Sequence, residues 1–189
     1  MLEKFTERAR RILSFANTEA QKMNHELIDS KHLLIGSARD QSGLAGSALK
    51  TFGIDADIIR EEVKRISPPG QNQVIMNKLP QSPDCKKAID NAIVIAESMN
   101  HNYVGTEHII LSLLRDSSAS TVLTNLGMPL ENCRSKILQY LDIADKEPND
   151  ELFVALASAS ALVFYWKSIG RKPENELEEN MIKLINKLN

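Results

Sequence analysis

The segment MNHNYVGTEHIIL at Met99–Leu111 decides the fold, because it repeats the segment MNHELIDSKHLLI at Met23–Ile35. The Met-Asn-His triplet and the later histidine recur at a constant offset of 76 residues. The same offset relates Arg39-Asp40 to Arg115-Asp116. Self-similarity at a fixed spacing indicates a repeat architecture. The sequence therefore predicts a tandem duplication of one unit, followed by a segment of a different kind.

The composition is typical of a globular protein with a buried core, at 189 residues, 42% hydrophobic and 25% charged. The formal net charge of −2 provides no general attraction for nucleic acid. Cys85 and Cys133 have no closely spaced partner that would indicate a zinc site or a disulfide framework. We interpret both as small buried residues in a reducing compartment, and we expect no cofactor and no metal.

The chain shows no targeting or membrane signal. Met1-Leu2 leads straight into charged helical sequence from Glu3, and no apolar segment of a secretory signal is present. The most apolar run, Phe153–Trp166, is shorter than the roughly 20 residues that span a bilayer. We therefore expect a cytoplasmic protein with neither a membrane nor a nucleic-acid partner.

Helical periodicity dominates both copies of the repeat. Apolar residues recur three or four positions apart in the first helix of the first copy, at Ala9, Ile12, Leu13, Ala16, Ala20 and Met23. Helix-capping side chains are predicted at Thr6, Asp29, Asp55, Ser82 and Thr106. No stretch alternates β-branched and polar residues over a useful length. The sequence therefore predicts an all-α fold with four helices in each copy.

Breaks in the pattern divide the chain into four parts. The first repeat covers residues 1–67, a linker rich in Pro, Gln and Asn covers 68–80, and the second repeat covers 81–144. A helical extension follows over 150–189, with predicted helices at Asp150–Ser168 and Asn175–Leu188. Their apolar stripes either pack back onto the repeats or bind a partner. Residues 153–188 are thus a candidate homo-oligomer interface.

Two strings resemble the repeats of the Clp N-terminal domain, most closely those of the ClpC branch. They are FTERARRIL at Phe5–Leu13 and YVGTEHIIL at Tyr103–Leu111. The resemblance covers residues 1–144 and implies a pseudo-two-fold bundle of eight helices. In ClpC-type chains this domain precedes AAA+ ATPase modules, but the present sequence has no Gly-Lys-Ser or Gly-Lys-Thr of a Walker A loop. We therefore expect a stand-alone recognition module that is not an enzyme.

The resemblance implies a protein-binding function. We expect the module to recognise substrates or adaptors, or to dock on a Clp-type AAA+ ATPase or protease and regulate protein degradation. An alternative is a Clp-N-like scaffold for an unrelated assembly that oligomerises through its C-terminal helices. A third hypothesis is an enzyme that uses Glu107 and His108. An esterase-like Ser-His-Asp arrangement is not supported, because the sequence has no Gly-x-Ser-x-Gly elbow. A buried His108 with no concave pocket beside it would remove the hypothesis of an enzyme based on Glu107 and His108.

The resemblance to the ClpC branch also implies a phosphoarginine pocket in each repeat. In the second repeat, Glu107 would pair with the guanidinium group and Ser82 would contact the phosphate. The first repeat keeps Thr6 but has Lys31 in place of the acid, and a cation there would repel a guanidinium group. The alternative is that Glu107 is only a first-turn acid stabilised by the helix dipole.

Four histidines occupy positions related by the repeat, namely His25, His32, His101 and His108. Such a set resembles a metal-binding group at first sight. Duplication explains the pattern without a ligand, because each histidine of one copy has its counterpart in the other. We therefore expect structural roles for all four.

Overall fold

A computed structural model describes residues 2–72, 74 and 77–144. In these ranges the chain forms eight α-helices, which confirms the all-α prediction. They are α1 (Glu7–Lys22), α2 (Ser30–Arg39), α3 (Leu44–Thr51), α4 (Ala56–Ile66), α5 (Pro83–Ser98), α6 (Thr106–Leu113), α7 (Ser117–Asn125) and α8 (Leu130–Ala144). The predicted helices at 150–168 and 175–188, and the interface at 153–188, lie outside the described residues.

The duplication is visible in the backbone at the ends of equivalent helices. Asn24 and Asn100 both adopt left-handed φ angles, of 53° and 58°, two residues after the last residue of α1 and of α5. Gly53 and Gly127 do the same after α3 and α7, at 72° and 76°. Asparagine and glycine are the residues that adopt this conformation at least cost. The second pair is offset by 74 residues rather than 76, so the first copy is two residues longer between Asp40 and Gly53.

Two short backbone pairings join the copies across a pseudo-two-fold axis. In each, the segment before the first helix of one copy pairs with the segment before the second helix of the other. The hydrogen bonds run from Thr6 N to Val104 O (3.0 Å), Val104 N to Lys4 O (2.7 Å), Ile28 N to Pro80 O (2.9 Å) and Ser82 N to Ile28 O (2.8 Å). Exchanging the two copies converts one pairing into the other. The isolated β-bridges Phe5–Val104 and Ile28–Gln81 follow the same rule.

The second helix of each copy lies at the centre of the bundle. Every residue of α6 is buried, and in α2 only Lys31 and Arg39 are not. Helix α2 packs against α1, α3 and α4 of its own copy and against α6 and α7 of the other. A helix that packs against neighbours on several sides needs no single apolar face. This placement explains why α2 and α6 lack the one-sided stripe of α1.

A close helix crossing holds the second helix of each copy against the first. A Cβ atom on Gly36 of α2 would lie 2.6 Å from the carbonyl oxygen of Ile12 on α1, so glycine is required for this approach. The equivalent residue of α6 is Ser112, whose hydroxyl donates a hydrogen bond to Ala88 O at 2.7 Å. The two copies therefore form the same helix crossing with different residues at the contact.

The cap predictions are right at four helices and wrong at one. Side-chain oxygens of Thr6, Asp29, Asp55 and Ser82 accept hydrogen bonds from first-turn amides. Helix α6 instead has Gly105 as its N-cap, and Thr106 is its first helical residue. The Thr106 hydroxyl accepts a hydrogen bond from Ala45 N of the other copy at 3.4 Å. It contributes to the contact between copies rather than to its own helix end.

Candidate functional site

The predicted site residues lie at two equivalent corners of the bundle, each built from both copies. The Glu107 corner comprises Thr6 and residues 104–107, and the Lys31 corner comprises Ser82 and residues 28–31. The resemblance to the ClpC branch implied that Ser82 shares a pocket with Glu107, and Thr6 with Lys31. The backbone hydrogen bonds instead join Thr6 to Val104, and Ser82 to Ile28. Each first-helix N-terminus therefore adjoins the second-helix N-terminus of the opposite copy.

At the Glu107 corner, a carboxylate folds back over the start of α6. The Glu107 side chain is 10% exposed, and its Oε1 lies 3.4 Å from Nδ1 of His108. A Cβ atom at position 105 would overlap this carboxylate, so Gly105 makes the conformation accessible. The negative charge lies at the positive end of the α6 dipole, where it is stabilised. The corner thus holds a mostly buried carboxylate at the start of α6.

At the Lys31 corner, aspartate replaces that glycine and lysine replaces that glutamate. The Asp29 carboxylate accepts hydrogen bonds from Lys31 N and His32 N at 2.9 and 3.2 Å. It also pairs with Lys31 Nζ at 2.7 Å. Burial alone would raise the pKa of Asp29, but its contacts with His32 and Lys31 outweigh burial and hold that pKa well below its usual range. The carboxylate here is already neutralised by the chain itself.

The two predicted hydroxyls are N-caps of α1 and α5. Thr6 Oγ1 accepts from Ala9 N at 3.2 Å, and Ser82 Oγ accepts from Cys85 N at 3.1 Å. Both residues are partly exposed. A hydroxyl that accepts one hydrogen bond still has its own proton to donate. Together with the amides of a helix N-terminus, such a hydroxyl can bind a phosphate group.

The histidines of the first copy form a chain of hydrogen bonds that links the N-cap of α2 to the linker. The amide N–H of Asp29 donates to His32 Nδ1 at 3.0 Å, and His32 Nε2 faces His25 Nδ1 at 2.9 Å. Because an amide can only donate, Nδ1 of His32 carries no proton and its Nε2–H donates to His25. His25 Nε2 then donates to Pro68 O at 3.1 Å. These bonds account for every ring nitrogen of the pair.

The second copy repeats the first two hydrogen bonds of this chain. Gly105 N donates to His108 Nδ1 at 2.9 Å, and His108 Nε2 faces His101 Nδ1 at 2.8 Å. His108 is fully buried, and burial, with the neighbouring His101, lowers its pKa from 6.5 to about 4. The ring is therefore neutral near pH 7 and is not accessible to a substrate. This burial argues against an enzyme based on Glu107 and His108.

The described residues do not indicate a metal-binding site or a reactive cysteine. No group of three or more His, Cys, Asp or Glu side chains there could hold a metal ion. Cys85 and Cys133 are buried, and burial raises the pKa of each thiol to about 12. Both cysteines are therefore protonated and shielded. None of the helices between Glu7 and Ala144 is long and apolar enough to cross a membrane.

Comparison with known proteins shows the family. The profile of the Clp repeat (R) N-terminal domain matches residues 4–126 and 86–162. The chain belongs to this family. It is 37% identical over 143 residues to the negative regulator of genetic competence ClpC/MecB of Bacillus subtilis, and 36% identical over 140 residues to ClpC of Staphylococcus aureus. These matches cover 75% and 73% of the chain but only 17% of each relative, so the Clp N-terminal chain spans a small part of those proteins.

Solved structures agree with the assignment. The N-terminal domain of ClpD from Arabidopsis thaliana has a TM-score of 0.63 and 28% identity, over 75% of this chain and 99% of that one. The ClpV N-domain in complex with a VipB peptide has a TM-score of 0.55 over 70% of this chain and 84% of that one. At 18% identity, the ClpV likeness shows the fold alone. The Clp N-terminal domain binds substrates and is not itself catalytic.

Proposed function

We propose that this Clp N-terminal module recognises proteins through a guanidinium-binding pocket at the Glu107 corner. A carboxylate offers two oxygens that match the paired N–H groups of an arginine side chain. The observation that carries the proposal is the pairing of Thr6 with Val104. It places the capped N-terminus of α1 beside the segment that leads to Glu107. A cation and an anion on one side chain, as in phosphoarginine, would then contact Glu107 and the start of α1.

The Lys31 corner is proposed to be inactive toward the same ligand. Its carboxylate belongs to Asp29 and is held by Lys31 Nζ at 2.7 Å. A guanidinium group would have to displace this internal cation. We therefore propose one pocket in the chain, with the other corner retained as part of the fold.

Calorimetric titration with free phosphoarginine tests this proposal. We expect one binding site in the unmodified chain and a loss of roughly 10- to 100-fold in affinity in Glu107→Gln, which removes a charge-assisted contact. Lys31→Gln is the matched control, because it changes the equivalent residue of the other corner and should leave binding unchanged. Absence of binding, or equal binding by Glu107→Gln, would contradict the proposal.

A second pair of variants identifies the phosphate partner. If the pocket is built across the copies, Thr6→Ala should weaken phosphoarginine binding and Ser82→Ala should not. If the pocket instead combines Ser82 with Glu107 within the second copy, Ser82→Ala should weaken binding and Thr6→Ala should not. Titration with free arginine and with inorganic phosphate separates the contributions of the two ligand charges.

The cellular role that we propose is regulation of protein degradation by a Clp-type machine. The family assignment and the peptide bound to the ClpV N-domain support a role in binding a protein partner, either a substrate, an adaptor or a Clp ATPase or protease subunit. Affinity purification of the full chain from its own host tests this role by the Clp components recovered. Recovery of an unrelated assembly, dependent on residues 153–188, would favour the scaffold alternative.

A further inference from the structure

A charged cleft in the first copy lies outside both corners. It has a volume of about 550 Å³ and is formed by the ends of α1 and α2 and the start of α4. Its lining includes four basic side chains, contributed by Lys22, Arg39, Arg60 and Lys64. Pockets of this size commonly hold a small ligand or a few side chains of a peptide.

A fully buried carboxylate, Glu19, anchors the two arginines of the cleft. Its oxygens lie 3.2 Å from Arg39 Nη1 and 2.7 Å from Arg60 Nε. Burial alone would raise the pKa of Glu19, but hydrogen bonding and charge from Arg60 and Lys22 lower it, so the residue is ionised. Arg39 also stacks over the Phe15 ring, with its guanidinium carbon 4.5 Å from the ring centroid. Both guanidinium groups are therefore fixed before any ligand arrives.

The positive charge of the cleft exceeds what its own acids neutralise. Asp57 pairs with Arg60, and the exposed Glu61 pairs with Lys64 at 2.7 Å. With Glu19 included, four basic side chains face three acidic ones. The attraction within an exposed pair such as Lys64–Glu61 is weak, because water and salt screen the two charges. Each guanidinium has five N–H donors, and these contacts occupy one on Arg39 and two on Arg60.

The second copy shows that the fold does not require this cluster. The equivalents of Glu19, Lys22 and Lys64 are Ile95, Ser98 and Leu138, none of them charged. The two arginines persist as Arg115 and Arg134. A buried apolar residue at position 95 is sufficient for the helix packing there. The first copy thus has a buried acid and two lysines at this cleft where the second copy has uncharged residues.

We propose that this cleft binds anionic side chains of a peptide, carboxylate or phosphate, with Arg39 and Arg60 as fixed donors and Lys22 and Lys64 at the rim. Both anions accept the forked hydrogen bonds of a guanidinium group. The site is separate from the Glu107 corner and does not depend on the function proposed there. The cleft recognises negative charge, whereas the pocket proposed at the Glu107 corner recognises a guanidinium group.

Fluorescence anisotropy with labelled peptides tests the proposal on the full chain. The probes are hexaglutamate, a phosphoserine peptide of equal length, and hexaglutamine as the neutral control. We expect saturable binding of at least one anionic probe and none of hexaglutamine. Lys22→Gln/Lys64→Gln should raise the dissociation constant about tenfold by removing two charge-assisted contacts at the rim. Both lysines are partly exposed, so this variant should fold.

The matched control is Lys50→Gln/Lys87→Gln, which removes the same charge from exposed positions that do not line the cleft. It should keep the affinity within about twofold. Binding of both anionic probes indicates a general carboxylate and phosphate site, and binding of the phosphopeptide alone indicates a phosphate site. Absence of saturable binding, or equal losses in the two double variants, would overturn the proposal. Glu107→Gln should retain anionic-peptide binding, which separates this site from the phosphoarginine pocket.

Discussion

The two copies of the repeat share a backbone but place charge differently at their equivalent corners. In each corner a carboxylate lies at the start of the second helix. In the first copy it belongs to the N-cap residue Asp29 and is paired with Lys31. In the second copy it belongs to Glu107, which reaches back over Gly105. Exchange of two side chains, with the backbone kept, thus changes which residue carries the carboxylate at this corner.

The interiors of the copies differ in the same way. Gly36 and Ser112 occupy one equivalent position, and Glu19 and Ile95 occupy another. Gly36 lies against Ile12 O, whereas Ser112 donates a hydrogen bond to Ala88 O. Glu19 contacts two arginines, whereas Ile95 is a buried apolar residue. The two copies therefore share their helix geometry but differ in the residues and contacts at equivalent positions. Variants at equivalent positions can show whether the two copies respond differently to the same substitution.

The largest effect is expected at the α1–α2 crossing. Gly36→Val should lower the free energy of unfolding by about 3 kcal/mol, because the added Cβ meets the backbone oxygen of Ile12 and no rotamer can relieve the overlap. Urea unfolding followed by circular dichroism measures this change. Ser112→Val is the matched control in the second copy. It should cost about 1 to 2 kcal/mol, mainly through the lost hydrogen bond to Ala88 O.

The comparison fails if the two valine variants lose equal stability. Equal losses would mean that the α1–α2 crossing can open as easily as the crossing that already holds a serine. The glycine at position 36 would then be a tolerated residue rather than a required one.

A smaller effect is expected from the buried histidine of the second copy. The pKa of His108 is lowered from 6.5 to about 4 in the folded chain, so between these values the unfolded chain binds more protons. Stability from this residue is complete above about pH 6.5 and is lost as the pH falls toward 4. The unmodified chain should lose about 2 to 3 kcal/mol over this interval. Urea unfolding at a series of pH values measures the loss.

His108→Gln separates this residue from the carboxylates. Glutamine at the third helical position can accept the Gly105 N–H in place of the imidazole, as in a capping box. The pH dependence above about 4.5 should then largely disappear, because the lowered pKa values of Glu19 and Asp29 act only below their ordinary values of 4.5 and 3.8. A glutamine variant with the same slope as the parent would assign the loss to other groups.

The local features of the fold were predictable, and the meeting of the copies was not. Helix caps at Thr6 and Ser82 follow from residues a few positions away, which a sequence shows directly. The cap at Thr106 was predicted wrongly because the hydroxyl finds a partner, Ala45 N, on the other copy. Likewise, an offset of 76 residues relates Ser82 to Thr6 but does not say which of them adjoins Glu107. A two-fold arrangement exchanges neighbours between copies, and only the folded chain shows that exchange.

The roles of Gly105 and Asp29 were visible in the repeat comparison but needed the structure to be interpreted. Their difference in sequence accompanies the difference between Glu107 and Lys31, two residues later in each copy. Only the folded positions show that the carboxylate of Glu107 occupies space that a side chain at position 105 would take. The phosphoarginine pocket itself stays a prediction until a ligand is titrated.

The smallest effect is expected at the two hydroxyl caps, where the copies should behave alike. Thr6→Ala and Ser82→Ala each remove one side-chain acceptor from a first-turn amide, at 3.2 and 3.1 Å. Each should cost about 1 kcal/mol of unfolding free energy, measured by urea unfolding. Thr6→Ser is the control and should cost less, because it keeps the acceptor. Pro83 follows Ser82 and already fixes the first helical turn, so a smaller loss at Ser82 than at Thr6 would show that proline, more than the hydroxyl, sets the start of α5.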